Sequence, residues 1–335
     1  MANFDVVLFS KYSFHDSILG PIATELEKLK INFWMTGKRH LVYDLFNERE
    51  RKFSIVIIAD EWTNLFRNQA EILITIGHSP ASKHTTLDSK NSDADYIYTF
   101  SQFYKTEFLK RGVSPKKEMI VTGNPAASRL FRKEILKGSI WETKNCNLGL
   151  KVLFAPTYNK DLSIMDVLME EEKNNQLFKQ MHDYQIAFKL HPVLHKKYPE
   201  QAEFVKELSK TYGNVYYHEN SNHDITDAIL WSDVVIGDCS GALFLSIAGE
   251  KPVIAYNNPD RVRSPYYDQH GPEWIFRNEY AYQIESLNVL NLPNLIRGVL
   301  ENDYKKEKRK IIVNLLFENQ KDAEVVIARH IVSLL

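Results

Sequence analysis

The run Val234-Val235-Ile236 breaks at Gly237-Asp238-Cys239-Ser240-Gly241 and resumes as Ala242-Leu243-Phe244-Leu245. A β-branched run, small and polar residues, then helix formers predict a strand, a tight turn and a helix start. Small residues let a ligand reach the backbone, and the unpaired N–H groups of a helix start favour an anion such as a diphosphate. The Ser240 hydroxyl can add a hydrogen bond, or can simply be the N-cap of an ordinary strand–helix loop. In Lys189-Leu190-His191-Pro192, the proline cannot extend a ladder, which places His191 at the carboxyl edge of a sheet. His191 and His195 have the separation of a helical metal pair, but Pro192 argues against a helix there, and no metal site is expected. In Ile76-Gly77-His78-Ser79-Pro80-Ala81-Ser82-Lys83, an imidazole that can accept a proton stands near a cation that can bind phosphate. A loop with Lys83 in solvent fits the same residues. Thr122-Gly123-Asn124-Pro125 and Phe154-Ala155-Pro156-Thr157-Tyr158 are two more small polar motifs at strand ends, each also readable as a turn.

The elements that would position these motifs alternate along the chain. Val6–Phe9, Ile55–Ile58, Leu73–Ile76, Tyr96–Tyr98 and Met119–Val121 read as strands, with helices over Ile18–Lys30 and Gln102–Arg111. Periodicity lapses between Phe131 and Leu150, which reads as a linker. A second series follows, with strands at Val152–Ala155, Ile186–Leu190, Val215–Tyr217, Val234–Ile236 and Val253–Tyr256. The pattern predicts an α/β protein of two doubly wound Rossmann-like domains facing one another across a cleft, residues 1–140 and residues 150–335. The last helix, Lys321–Leu335, is a candidate to cross back to the first domain.

Composition narrows the classes. With 335 residues, two domains are expected. Lys+Arg total 42 against 43 Asp+Glu, a net charge of −1, so no global field favours nucleic acid or an anionic bilayer. Cys146 and Cys239 lie far apart, which predicts neither a disulfide framework nor a zinc finger and suits a reducing cytoplasm. No apolar run approaches a membrane-spanning length.

Taken in order, the five motifs resemble the CDP-glycerol glycerophosphotransferase family, the teichoic-acid polymerases and primases, over roughly Leu73 to Tyr256. His78 to Lys83 is similar to that family's His-Gly-Thr-Pro-Leu-Lys segment without the Gly. Thr122–Pro125, Phe154–Tyr158 and Lys189–Pro192 match its Thr-Gly-Asn/Tyr-Pro, Tyr-Ala-Pro-Thr-Trp and Arg/Lys-Leu/Met-His-Pro elements. Ser232–Gly241 with Lys251-Pro252 resembles its Ser-Asp-x-x-Ile-Thr-Asp-Tyr-Ser-Ser element and the Lys-Pro that follows; Gly241 stands for the second Ser and Leu245 for a frequent Asp.

The resemblance implies a GT-B-like fold and metal-independent, cofactor-free transfer of glycerol phosphate, or a similar polyol phosphate, from a CDP-linked donor to a hydroxyl of a glycan or polyol-phosphate acceptor, with release of CMP. It implies residues 1–140 as the acceptor side and 150–335 as the nucleotide-donor side, with His78 as general base and His191 on the donor diphosphate. Asp238, Ser240 and Gly241 would line the phosphate turn, and Lys83, Asn124, Pro156, Thr157, Lys189 and Cys239 would complete the binding set. Such an enzyme would be cytoplasmic or peripheral at the inner face of the cell membrane, with a polysaccharide-assembly partner and no nucleic acid, although no evident amphipathic or basic stretch supports membrane docking. Two other readings stand beside it: a GT-B-like UDP-sugar glycosyltransferase or 2-epimerase, and a non-catalytic nucleotide-sugar-binding subunit of a polysaccharide assembly system.

Overall fold

The computed structural model describes residues 5–10, 12–36, 53–59, 63–77, 80, 91–143, 149–217, 225–265 and 267–335. It forms two compact units. One takes the described residues up to Arg132 together with Asn314–Leu335; the other is Lys133–Val313.

The first unit holds six parallel strands: β1 (Val6–Phe9), β2 (Phe33–Thr36), β3 (Phe53–Ile58), β4 (Ala70–Ile76), β5 (Tyr96–Thr99) and β6 (Glu118–Val121), in the order β2-β1-β3-β4-β5-β6. Central strands such as Val6–Leu8 and Ile55–Ile57 are wholly buried, as a parallel sheet covered on both faces requires. The second unit repeats the design with β7 (Leu150–Ala155), β8 (Tyr184–Phe188), β9 (Val215–Tyr217), β10 (Val234–Gly237), β11 (Val253–Tyr256) and β12 (Ala281–Ile284), in the order β12-β11-β10-β7-β8-β9. Its core gathers Val152, Phe154, Ile186, Phe188, Val234, Ile236 and Ile254 under Leu177, Phe178, Leu292 and Ile296 from flanking helices.

These are the two parallel α/β units expected from the alternation of runs. Two strands escape that reading, β2 and β12, and both lie at sheet edges. The expected linker also needs correction. The Pro125–Arg132 helix runs into it, and Ile140–Thr143 is a helical turn whose Trp141 is buried against Trp231, ring centroids 5.2 Å apart. Burial of a large aromatic, rather than helical periodicity, orders this stretch.

The final helix, Ala323–Leu334, packs in the first unit, where Tyr98 Oη and His330 Nδ1 are 2.7 Å apart. The segment leading into it crosses the end of β6. Glu318 N–H donates to Phe100 O, and Glu318 Oε1 accepts from Gln102 N–H at 2.7 Å, at the start of the Gln102–Lys110 helix. Gly123 makes this crossing possible. Its φ is +86°, and a Cβ there would lie 2.3 Å from Glu318 O and 2.9 Å from Ala323 Cβ.

Gly112 offers the matched control, because its φ of +73° is similar but nothing lies within 4 Å of the Cβ position. Gly112→Ala is therefore expected to cost about 1–2 kcal/mol from backbone handedness. Gly123→Ala adds a backbone clash and should cost about 3 kcal/mol or more. Thermal unfolding of the two variants side by side checks this; equal losses would remove the close approach from the argument.

Candidate functional site

The second sheet changes its direction of growth between β7 and β10. From β7 the chain adds β8 and β9 on one side, then returns to lay β10, β11 and β12 on the other. Loops leaving β7 and β10 therefore diverge at their carboxyl ends, which is where open α/β sheets bind ligands.

One side chain ties the diverging loops. Asp238, the first residue past β10, is fully buried. Its carboxylate accepts the N–H of Thr157 at 3.0 and 3.1 Å, of Ile164 at 3.0 Å and of Cys239 at 2.7 Å. Sequence reading expects Asp238 to line the phosphate turn; the carboxylate instead faces backbone N–H groups and holds the turn against the β7 loop. Gly237 serves the same closeness, since a Cβ there would lie 2.7 Å from Leu243 Cδ2 and 3.1 Å from Ala155 O.

Ser240 is the residue before the Gly241–Ala248 helix and has extended backbone, φ −153° and ψ 159°. Its side chain caps nothing: Oγ is buried and has no hydrogen-bond partner among the described residues. A buried hydroxyl without a partner costs about 1–3 kcal/mol, which a phosphate oxygen at the helix start would relieve. Gly241, half-buried, opens that helix. Cys239 is expected from sequence in the binding set, but its side chain packs in an apolar cluster with Leu162 and Tyr267.

The β7 and β8 ends complete the group. Thr157 is fully buried and Pro156 is buried; Tyr158 sets its ring 4.7 Å from that of His191. Val193 N–H donates to His191 Nδ1 at 3.2 Å. That bond leaves the neutral imidazole protonated at Nε2, so the ring presents an N–H donor suited to a phosphate oxygen. Lys189 donates its N–H to Phe154 O at 2.9 Å, extending the β7–β8 pairing one residue past β8, and its side chain is half-buried.

The structure thus brings Pro156, Thr157, Lys189, His191, Asp238, Cys239, Ser240 and Gly241 to three neighbouring strand ends. Asn124 lies in the first unit, where its Oδ1 accepts Ala126 N–H at 3.0 Å and caps the Pro125–Arg132 helix. His78 and Lys83 lie outside the described residues. Lys251, of the Lys-Pro element, donates from Nζ to Leu230 O at 3.1 Å and Ser232 O at 2.6 Å, at the carboxyl end of the Ile225–Trp231 helix. Burial pulls its ammonium below the ordinary lysine value. Among the described residues no group of three or more His, Cys, Asp or Glu could hold a metal ion.

Sequence reasoning missed Arg277, Glu273 and Asn257. Arg277 is 2% exposed, is paired with Glu273, and donates to Asp238 O at 2.8 Å, Tyr256 O at 2.6 Å and Asn257 Oδ1 at 2.9 Å. The only signal in the chain was the Glu273/Arg277 spacing of four, which on most helices marks a surface pair.

Asp238→Asn should destabilise the protein by about 2 kcal/mol or more, because either amide orientation sets an NH₂ against backbone N–H donors. Chemical denaturation measures this, and an unchanged midpoint would show that the carboxylate does not hold the loops.

The family described as CDP-glycerol:poly(glycerophosphate) glycerophosphotransferase matches residues 24–326. The teichoic acid glycerol-phosphate primase of Bacillus subtilis (strain 168) is 22% identical over 165 residues, a stretch that takes in 49% of this chain and only 40% of that protein. Among solved structures, a histidine-to-asparagine variant of the wall teichoic acid polymerase TagF superposes with a TM-score of 0.70 at 14% identity, over 99% of this chain and 89% of that one. The UDP-GlcNAc 2-epimerase of Methanocaldococcus jannaschii, in complex with UDP-GlcNAc and UDP, gives 0.55 at 14% identity, over 98% and 99%. Such distant structural likenesses establish a shared GT-B-like fold of two parallel-sheet units. The family match runs through both units and every strand-end motif of the second: the chain belongs to the CDP-glycerol:poly(glycerophosphate) glycerophosphotransferase family.

Proposed function

We propose that this protein transfers glycerol phosphate, or a similar polyol phosphate, from a CDP-linked donor to a hydroxyl of a cell-surface polymer or glycan, releasing CMP. The observation that carries the reading is the phosphate turn of a glycerophosphotransferase-family chain: a buried, unpartnered Ser240 hydroxyl at a helix start, at the switch point of the donor-side sheet.

In this reading the acceptor oxygen attacks the phosphorus that bears glycerol. A bond forms between that oxygen and phosphorus, the bond between the two phosphates breaks, and its electron pair leaves on CMP. The acceptor proton passes to His78, the base that the family resemblance assigns. His191 donates through Nε2–H to the diphosphate, the Ser240 hydroxyl and the N–H groups of the helix start hold the phosphate oxygens, and no covalent intermediate is needed. Asp238 takes no part in the transfer; it keeps the turn in place. The reading includes metal independence and a peripheral station at the inner face of the cell membrane, where such polymers are extended. Among the described residues no helix is long and apolar enough to cross a membrane.

The UDP-sugar reading retains one specific support: a Ser240-Gly241 turn at a helix start serves the diphosphate of a UDP-sugar as well. Incubation of the protein with CDP-glycerol, CDP-ribitol and UDP-sugars, each with acceptor and excess EDTA, separates the two. CMP is expected from a CDP-polyol; UDP alone would transfer the assignment to sugar chemistry. Loss of CMP release in EDTA with recovery on adding magnesium would overturn the metal-independent form of the proposal.

The two histidines should fail differently. His78→Ala is expected to lower turnover by about 10²–10⁴-fold with donor affinity retained, as for loss of a general base. His191→Ala should weaken donor binding and slow turnover together. Single-turnover kinetics at saturating donor and acceptor, with donor affinity from calorimetry, reads both effects. Near wild-type turnover in a folded His78→Ala variant would end its assignment as base.

A further inference from the structure

The pairing of β10 with β11 ends at Gly237 and Ala255. The next carbonyl on each strand, that of Asp238 and that of Tyr256, is received by a single guanidinium. Arg277 Nη1 donates to Asp238 O at 2.8 Å and Nη2 to Tyr256 O at 2.6 Å, while Nε donates to Asn257 Oδ1 at 2.9 Å. Arg277 therefore forms one more rung across two strands that have begun to part. A planar fork can do this, whereas a lysine ammonium is a point donor without fixed directions. Glu273, itself fully buried, neutralises the guanidinium from one helical turn away.

This rung acts on the phosphate turn through one peptide. The carbonyl of the Asp238–Cys239 peptide is held by Arg277, and its N–H is held by Asp238 Oδ1 at 2.7 Å. With both polar groups engaged, the peptide plane is fixed, and the backbone enters Ser240 and the helix start in one direction. Preorganised donors of this kind hold a developing or transferred phosphate better than donors that must reorient.

We propose that Arg277 is a positioning residue for the donor diphosphate, keeping the Ser240 hydroxyl and the N–H groups of the Gly241–Ala248 helix start directed at one phosphate position. The proposal rests on the reading of this turn as the binding site of a CDP-linked donor. Arg277 touches no reacting atom; its effect on donor binding passes through the Asp238 carbonyl.

Two variants test it. Arg277→Lys keeps the charge opposite Glu273 and loses the fork. The paired change Glu273→Gln with Arg277→Met removes both charges, so that no uncompensated ion is left in the interior. Titration calorimetry with CDP-glycerol and with CDP-ribitol, near-ultraviolet circular dichroism and steady-state kinetics are run on each variant and on the wild type. Each folded variant is expected to lose at least tenfold in affinity for whichever of the two the wild type binds and to show a donor KM raised by a similar factor, with the acceptor KM within twofold of wild type. A merely structural role would lower the active fraction, and hence Vmax, with donor KM unchanged. Donor affinity within twofold of wild type in either folded variant overturns the proposal. Failure of both variants to fold would make Arg277 a requirement of the fold and overturn it equally. A wild-type protein that binds neither CDP-glycerol nor CDP-ribitol overturns the donor reading itself and the proposal with it, whereas wild-type binding that the variants share overturns the proposal alone.

Discussion

Everything at the second sheet's carboxyl edge depends on how one buried carboxylate spends its lone pairs. Parallel strands end with unpaired N–H and C=O groups, and where the chain reverses its direction of growth no neighbouring strand can take them. Asp238 answers for the N–H side: Thr157, Ile164 and Cys239 all donate to it. A carboxylate can take several donors at once, and it costs far less in this interior than it would unpaired because every approach is along an N–H dipole. The β7 and β10 loops are thereby held together by hydrogen bonds to one carboxylate, and residues that follow them in the chain, Tyr158 and Ser240, inherit fixed positions.

The carbonyl side has its own answer in Arg277, and the two devices have opposite charge. Asp238 gathers N–H groups, Arg277 gathers C=O groups, and Glu273 pairs with the guanidinium, so the two carboxylates outnumber the one cation of the hub. On a chain of net charge −1, the proposed diphosphate site would draw on local dipoles, a hydroxyl and an imidazole N–H beside the nearby lysine Lys189. Leu243 and Phe244 follow the turn directly and are fully buried, and such burial strengthens the hydrogen bonds made there.

How much of this was legible in the sequence follows the same physics. Buried central strands announce themselves as continuous Val and Ile runs, so Val6–Leu8, Ile55–Ile58 and Val234–Ile236 could be placed from the chain alone. Edge strands β2 and β12 could not, because Phe33-Trp34-Met35-Thr36 is mostly half-buried and Ala281-Tyr282-Gln283-Ile284 carries a polar residue among its apolar ones. The strand-end motifs were legible as positions, since Pro, Gly and Asn punctuate a chain, but not as roles. Nothing local distinguishes an Asp that will meet a ligand from one that will meet the backbone N–H groups of Thr157 and Ile164 as well as that of its neighbour Cys239. Arg277 was invisible for the related reason that its partners lie 21 and 39 residues away in the chain.

Hydrogen-bond capacity separates the motif residues that shape loops from those that can act on a ligand. Gly123 is needed where Glu318 and Ala323 cross it, Lys251 closes a helix on two carbonyls, and the Asp238 carboxylate takes three backbone N–H groups. Each of these would be required even in a protein that bound nothing at the site. The Ser240 hydroxyl is different, because the fold buries it at a helix start without giving it a partner, a state that lowers stability unless something else on that side accepts or donates. His191 differs in another way: the fold fixes its tautomer through Val193 and so decides in advance which nitrogen carries the proton. An unpartnered hydroxyl at a helix start and an imidazole held in one tautomer, both at neighbouring strand ends, are what the proposed donor reading draws on.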